Sequence, residues 1–160
     1  MKNLLYTIGL IFTISTLGAQ TLDSAIRTEV TLREGVFYGA NNTAFSGKVS
    51  SYHTNGEKMF EYTLNKGMKH GNAITFHESG NLKEKGAYLH NEKHGKWTSF
   101  DERGNKVGNI EYLNGEKHGV WTILDENGKR RIRMEFAQGK KTGIWKSWNE
   151  SGKLTGKKKY

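Results

Sequence analysis

Glycine recurs in this chain at a fixed interval, and that interval restricts the fold more than any other feature. Gly47, Gly71, Gly95, Gly119 and Gly143 are each 24 residues apart, and Gly56, Gly80, Gly104, Gly128 and Gly152 keep the same spacing. Trp97, Trp121 and Trp145 stand two residues beyond their glycines, where Val49 and Ala73 occupy the earlier copies. Tyr52, Phe76, Phe100, Leu124 and Trp148 form a further series, and Leu64, Tyr88, Tyr112, Phe136 and Tyr160 another. Five copies without an insertion or deletion describe a repeat array, in which one supersecondary unit stacks on its neighbours.

Each unit reads as a β-hairpin. Its first strand is expected to run from the residue after the first glycine to the aromatic, as over 96–100. A tight turn follows, such as His53-Thr54-Asn55-Gly56 or Asp125-Glu126-Asn127-Gly128. Polar residues closed by glycine suit a type I turn whose last residue has positive φ, so Gly56, Gly80, Gly104, Gly128 and Gly152 are assigned as structural turn glycines. The second strand alternates, with Phe60, Tyr62 and Leu64 on one side and Met59, Glu61 and Thr63 on the other. That period of two marks a half-buried antiparallel strand. A second glycine-bearing connection, as over 114–119, leads into the next copy. The prediction is an all-β fold, an elongated single-layer antiparallel sheet of successive β-hairpins. The repeat array is expected over 32–160, with a partial copy at 32–46 and full copies starting near 47, 71, 95, 119 and 143. Residues 20–31 show no repeat and are expected to be an N-terminal cap or linker.

Composition narrows the function classes. The 160 residues contain no cysteine, which excludes disulfides, thiolate catalysis and Cys-based metal centres. A mean hydropathy of −0.75 leaves little for a large aliphatic core. The formal charge of +9 makes an anionic partner the natural complement. At the N-terminus, Lys2 precedes an apolar stretch from Leu4 to Ile14 and the small pair Gly18-Ala19. This is the anatomy of a signal peptide over 1–19, with cleavage leaving Gln20 first. The stretch is too short and too broken by Thr and Gly for a membrane span. The expected mature protein is exported, and is periplasmic, envelope-associated or secreted, with no transmembrane span.

The runs Tyr112-Leu113-Asn114-Gly115-Glu116-Lys117-His118-Gly119-Val120-Trp121 and Phe136-Ala137-Gln138-Gly139-Lys140-Lys141-Thr142-Gly143-Ile144-Trp145 carry a resemblance. They resemble the MORN repeat, and more closely the bacterial variant of proteins called YwqK-type antitoxins. The resemblance covers about residues 32–160. It implies hairpins stacked into a twisted sheet, and a role in scaffolding, protein interaction or association with phospholipid. The first two copies depart from it at Val49 and Ala73, where the family has tryptophan.

No catalytic signature is present: there is no nucleophile elbow, phosphate loop, dinucleotide fingerprint or zinc-protease helix. The carboxylates of Asp101, Glu102, Asp125, Glu126 and Glu150 fall in turns, where they solvate the chain. His70, His94 and His118 recur with the repeat, but equivalent positions lie roughly 10 Å apart, two strand spacings, too far to share one ion. No catalytic residue, metal ligand or cofactor is assigned. The possible partner-binding residues are Trp97, Trp121, Trp145, Lys93, Lys117 and Lys141. These aromatics either stack between copies to cover a thin sheet or line an exposed stripe among cations. Lys69, Lys93, Lys117 and Lys141 are expected to form a row able to engage a polyanion. The function expected is a non-catalytic exported module for a protein or an anionic envelope surface, with no nucleic-acid partner. The alternative is an inhibitor, antitoxin or immunity protein that neutralises a toxin.

Overall fold

The computed structural model describes residues 30–160, so the signal peptide expected at 1–19, and the cap or linker up to residue 29, lie outside the described residues. Two short strands, β1 (Thr31–Arg33) and β2 (Val36–Tyr38), pair with each other. Ten further strands follow: β3 (Gly47–Tyr52), β4 (Lys58–Asn65), β5 (Met68–Phe76), β6 (Leu82–Leu89), β7 (Glu92–Phe100), β8 (Lys106–Leu113), β9 (Glu116–Leu124), β10 (Arg130–Ala137), β11 (Lys140–Trp148) and β12 (Leu154–Lys159). They form one open antiparallel sheet in strict chain order from β3 to β12. The expected succession of hairpins is the observed architecture.

Two kinds of turn alternate along the sheet. In the first, the Gly128 N–H donates to the Asp125 carbonyl at 2.9 Å, and the Asp125 N–H donates to the Lys129 carbonyl at 2.9 Å. Gly128 has φ +74, which closes the type I turn. The same pair of bonds recurs at His53/Gly56, His77/Gly80, Asp101/Gly104 and Asn149/Gly152. The second kind has only two loop residues, as at Asn114-Gly115 between Leu113 and Glu116, which are partners across the ladder. Both loop residues have positive φ, +49 and +78, the primed geometry whose twist matches that of the strands.

The strand that follows the two-residue turn starts earlier than the sequence reading placed it. β7 begins at Glu92, three residues before Gly95, and continues through the glycine to Phe100. A bulge makes this continuation possible. Lys85 pairs with Thr98 and Ala87 with His94, so Gly86 alone faces the three residues Gly95, Lys96 and Trp97. Gly95, at φ +68, turns the chain locally and lets the ladder resume. The equivalent glycines Gly71, Gly119 and Gly143 have φ of +93, +66 and +67 and sit at the corresponding register shifts.

Residues 32–46, expected as a partial copy, differ from the repeat. β1 and β2 belong to a separate two-stranded sheet instead of extending the array. The Phe37 N–H donates to the Gly67 carbonyl at 2.8 Å, and the Gly67 N–H donates to the Phe45 carbonyl at 2.7 Å. Val30 and Phe37 thereby join Val49 and Leu64 in a buried cluster, with Phe45, Phe60 and Tyr62 packed against it. The segment closes one end of the array, where the first copies have Val49 and Ala73 instead of tryptophan.

Candidate interaction surface

Strand alternation divides the side chains between two faces of different chemistry. The aromatic face is a chain of ring contacts. Tyr62 meets Tyr88 at 5.9 Å, Tyr88 meets Trp97 at 5.1 Å, and Trp97 meets Tyr112 at 6.4 Å between ring centroids. Further along, Trp121, Phe136, Trp145 and Tyr160 succeed one another at 5.8, 5.3 and 4.6 Å. The indole N–H of Trp97 donates to the Ala87 carbonyl at 3.0 Å, and that of Trp145 to the Glu135 carbonyl at 3.1 Å.

The lysine row lies within this face and is already engaged. Lys69 sits 4.3 Å from the Tyr88 ring centre, Lys93 3.9 Å from Trp97, Lys117 4.1 Å from Trp121 and Lys141 4.9 Å from Trp145. Each also approaches the aromatic of the neighbouring series, as Lys93 does Tyr112 at 5.4 Å. Lys93 is further bound to the Glu84 carboxylate at 2.8 Å. Burial holds the Lys69 ammonium below its usual pKa, with repulsion from Lys93 adding to it. Burial pushes the Tyr88 hydroxyl up to about 12, helped by Tyr62, Glu84 and Tyr112. These lysines bridge adjacent copies by cation–π attraction, a role that spacing alone did not separate from a free cationic row.

Trp97 corrects the sequence reading of a tryptophan stripe. It is 1% exposed and reaches no partner from the surface. The reason is Gly86, directly beneath it: the indole fills the space where a side chain on Gly86 would begin. Trp121 and Trp145 are half-buried under Lys117 and Lys141. The Trp97 and Phe100 rings lie on opposite sides of the sheet. Trp97 meets Tyr88, whereas Phe100 is approached by Lys85, three residues before Tyr88 and so on the other face of β6.

The opposite face, which carries Phe100 with Lys85 over its ring, is otherwise mainly polar. Ladder partners trace one unbroken row across all ten strands: Ser50, Glu61, Ile74, Lys85, Thr98, Asn109, Thr122, Arg133, Lys146 and Lys157. Its charge shifts along the sheet. Near β4, Glu61 is bound by Lys48 and Lys58 at 3.2 and 3.1 Å, which hold its carboxyl below the usual range against the upward push of burial. At the other end, Arg133, Lys146 and Lys157 stand directly opposite one another on β10, β11 and β12. Arg133 is paired with Glu135, while Lys146 and Lys157 belong to none of the ion pairs among the described residues. His94 and His118 lie on this face opposite Ala87 and Glu111. The Nδ1 atoms of His70, His94 and His118 are buried and have no hydrogen-bond partner among the described residues.

The two-residue turns tie each copy to the one before it. Asn91, Gly115 and Gly139 donate their N–H groups at 2.9 Å to the carbonyls of Lys69, Lys93 and Lys117. The family described as MORN repeat variant matches residues 69–90, 93–114 and 141–160. These three spans are MORN repeats. Every matched MORN span begins on a lysine that lies over rings, Lys69, Lys93 or Lys141, and the copy from Lys117 has the same cation–π contact and bulge glycine. A search of curated proteins found no match. Among the described residues no helix is long and apolar enough to cross a membrane.

Proposed function

We propose that this MORN array is an exported, non-catalytic module that binds a protein or the anionic surface of the cell envelope through the polar face of its sheet. The row Arg133–Lys146–Lys157 is the observation that carries this reading. Like charges directly opposite on neighbouring strands weaken a sheet, and an anion laid across them removes that repulsion. The aromatic face offers less, because its lysines and rings are already matched to one another. Export rests on Lys2, the apolar stretch from Leu4 to Ile14 and the Gly18-Ala19 pair.

Binding to phosphatidylglycerol vesicles and to envelope extract tests the surface. Affinity is expected to fall steeply as salt rises, since the screening length shortens from about 30 Å at 0.01 M to about 8 Å at 0.15 M. Replacing both Lys146 and Lys157 with Gln is expected to weaken binding while raising Tm, a pair of changes that general damage would not produce. Unchanged binding by that variant would sink the assignment of the row. Export is checked by mapping the N-terminus of protein recovered from the envelope, where Gln20 is expected first and intact Met1 would count against it.

A further inference from the structure

The bulge glycines differ in what lies over them. Thr63 lies against Gly71, its Cβ 3.6 Å from the point where a side chain on that glycine would begin. The Glu111 carboxylate fills the corresponding space over Gly119, and the Glu135 carboxylate fills it over Gly143. In the copy built on β6 and β7 the equivalent residue is Ala87, and nothing lies within 4 Å of that point over Gly95. A shallow depression of ≈ 550 Å³ results, lined by Asn72, Lys85, His94, Lys96 and Thr98 beside Ala87. Lys85 and Lys96 are exposed and belong to none of the ion pairs among the described residues; Lys85 stands 5.7 Å from the Phe100 ring centre, a longer contact than those of the lysine row with their nearest rings. The residues equivalent to these two lysines are Asn109 and Val120 beside Glu111, and Arg133 and Ile144 beside Glu135. Of the two copies without an internal carboxylate, one has Thr63 over its bulge glycine, and the other, open over Gly95, offers two lysines.

We infer that this depression binds a carboxylate from an acidic segment of a partner protein, seated over Gly95 as the Glu111 and Glu135 carboxylates are seated over Gly119 and Gly143. The inference rests on the polar face being the interaction surface and gives that face a ligand chemistry. Lys85 and Lys96 supply the charge for the carboxylate, as charge-assisted hydrogen bonds from ammonium groups do. The protein itself shows that this backbone geometry accommodates a carboxylate, twice, in the neighbouring copies.

The test is a titration of the full isotope-labelled chain with a capped hexapeptide of alternating Gly and Glu, followed by amide resonances. Saturable shifts centred on Gly95, Lys96 and Ala87 are expected. Ala87→Glu supplies the missing internal carboxylate and is expected to lower peptide affinity at least tenfold. The double variant Lys85→Gln with Lys96→Gln provides an independent reading and is expected to lose affinity similarly. Equal binding by wild type and Ala87→Glu overturns the site, as does an unaffected double lysine variant. Shifts confined to the Arg133–Lys146–Lys157 row would overturn it while leaving the general interaction reading intact. Phosphatidylglycerol vesicles that perturb Gly95 when the peptide does not would overturn it in favour of a phosphate headgroup.

Discussion

Gly86 interrupts a series in which the other copies place Tyr62, Ile110, Met134 and Lys158. Its φ is not in the left-handed region, so conformation does not require a glycine there. The requirement is space, because the Trp97 indole lies on its backbone. Gly86→Ala is therefore expected to displace the most buried large side chain of the array and to destabilise it by about 1–3 kcal/mol. Urea melts followed by tryptophan emission would register the loss together with a red shift. Tyr88, against the same indole, should show its neighbourhood through titration. Burial pushes its hydroxyl up to about 12 in the folded protein, from an ordinary 10.0 when unfolded. A raised folded pKa means that its contribution is complete below pH 10 and is lost as pH rises towards 12. Phenolate absorbance should thus appear in two waves, the later one merging into a single wave in denaturant.

At the level of the hairpin, the type I turns were legible because their chemistry is local. Asp125 accepts hydrogen bonds from the N–H groups of Asn127 and Lys129 at 3.0 and 2.8 Å, so the Asp-Glu-Asn-Gly run defines its own geometry. The bulge was not legible, because a glycine with positive φ reads as the end of a strand until its partner strand is known. Three register residues facing one is a property of the pair β6–β7 and not of either sequence alone. The same limit hid the burial of Trp97, which depends on Gly86 across the ladder, and the engagement of Lys93 by Glu84 and two rings. What overhangs each bulge sets an order among substitutions. Gly95→Ala meets open space and incurs only the strain of positive φ, on the order of 1 kcal/mol. Gly119→Ala must also displace the Glu111 carboxylate, so it is expected to cost more in the same denaturation experiment. Equal losses would mean that the glutamate moves aside freely.

Across the whole molecule, every strand of the large sheet is hydrogen-bonded only to its neighbours in chain order. Stability in such an array is a sum of copies and junctions. Deleting residues 93–116 joins Glu92 to Lys117 in the phase of the repeat and should leave a folded eight-stranded sheet, two strands fewer than the ten of the parent. Its urea m-value is expected to fall by about a fifth, in proportion to the surface no longer exposed on unfolding. A collapse of cooperativity instead would show that the copies depend on one another over longer range. The strict order of strands also decides how the protein yields to load. β3 and β12 are the two opposite edges, so tension applied between Lys48 and Lys159 runs along the direction in which strands are bonded to each other. Pulled this way, a ladder opens one bond at a time, like a strip of fabric torn from its hem. Single-molecule stretching should therefore give a low-force staircase, each step releasing a 24-residue copy, roughly 70–80 Å of chain.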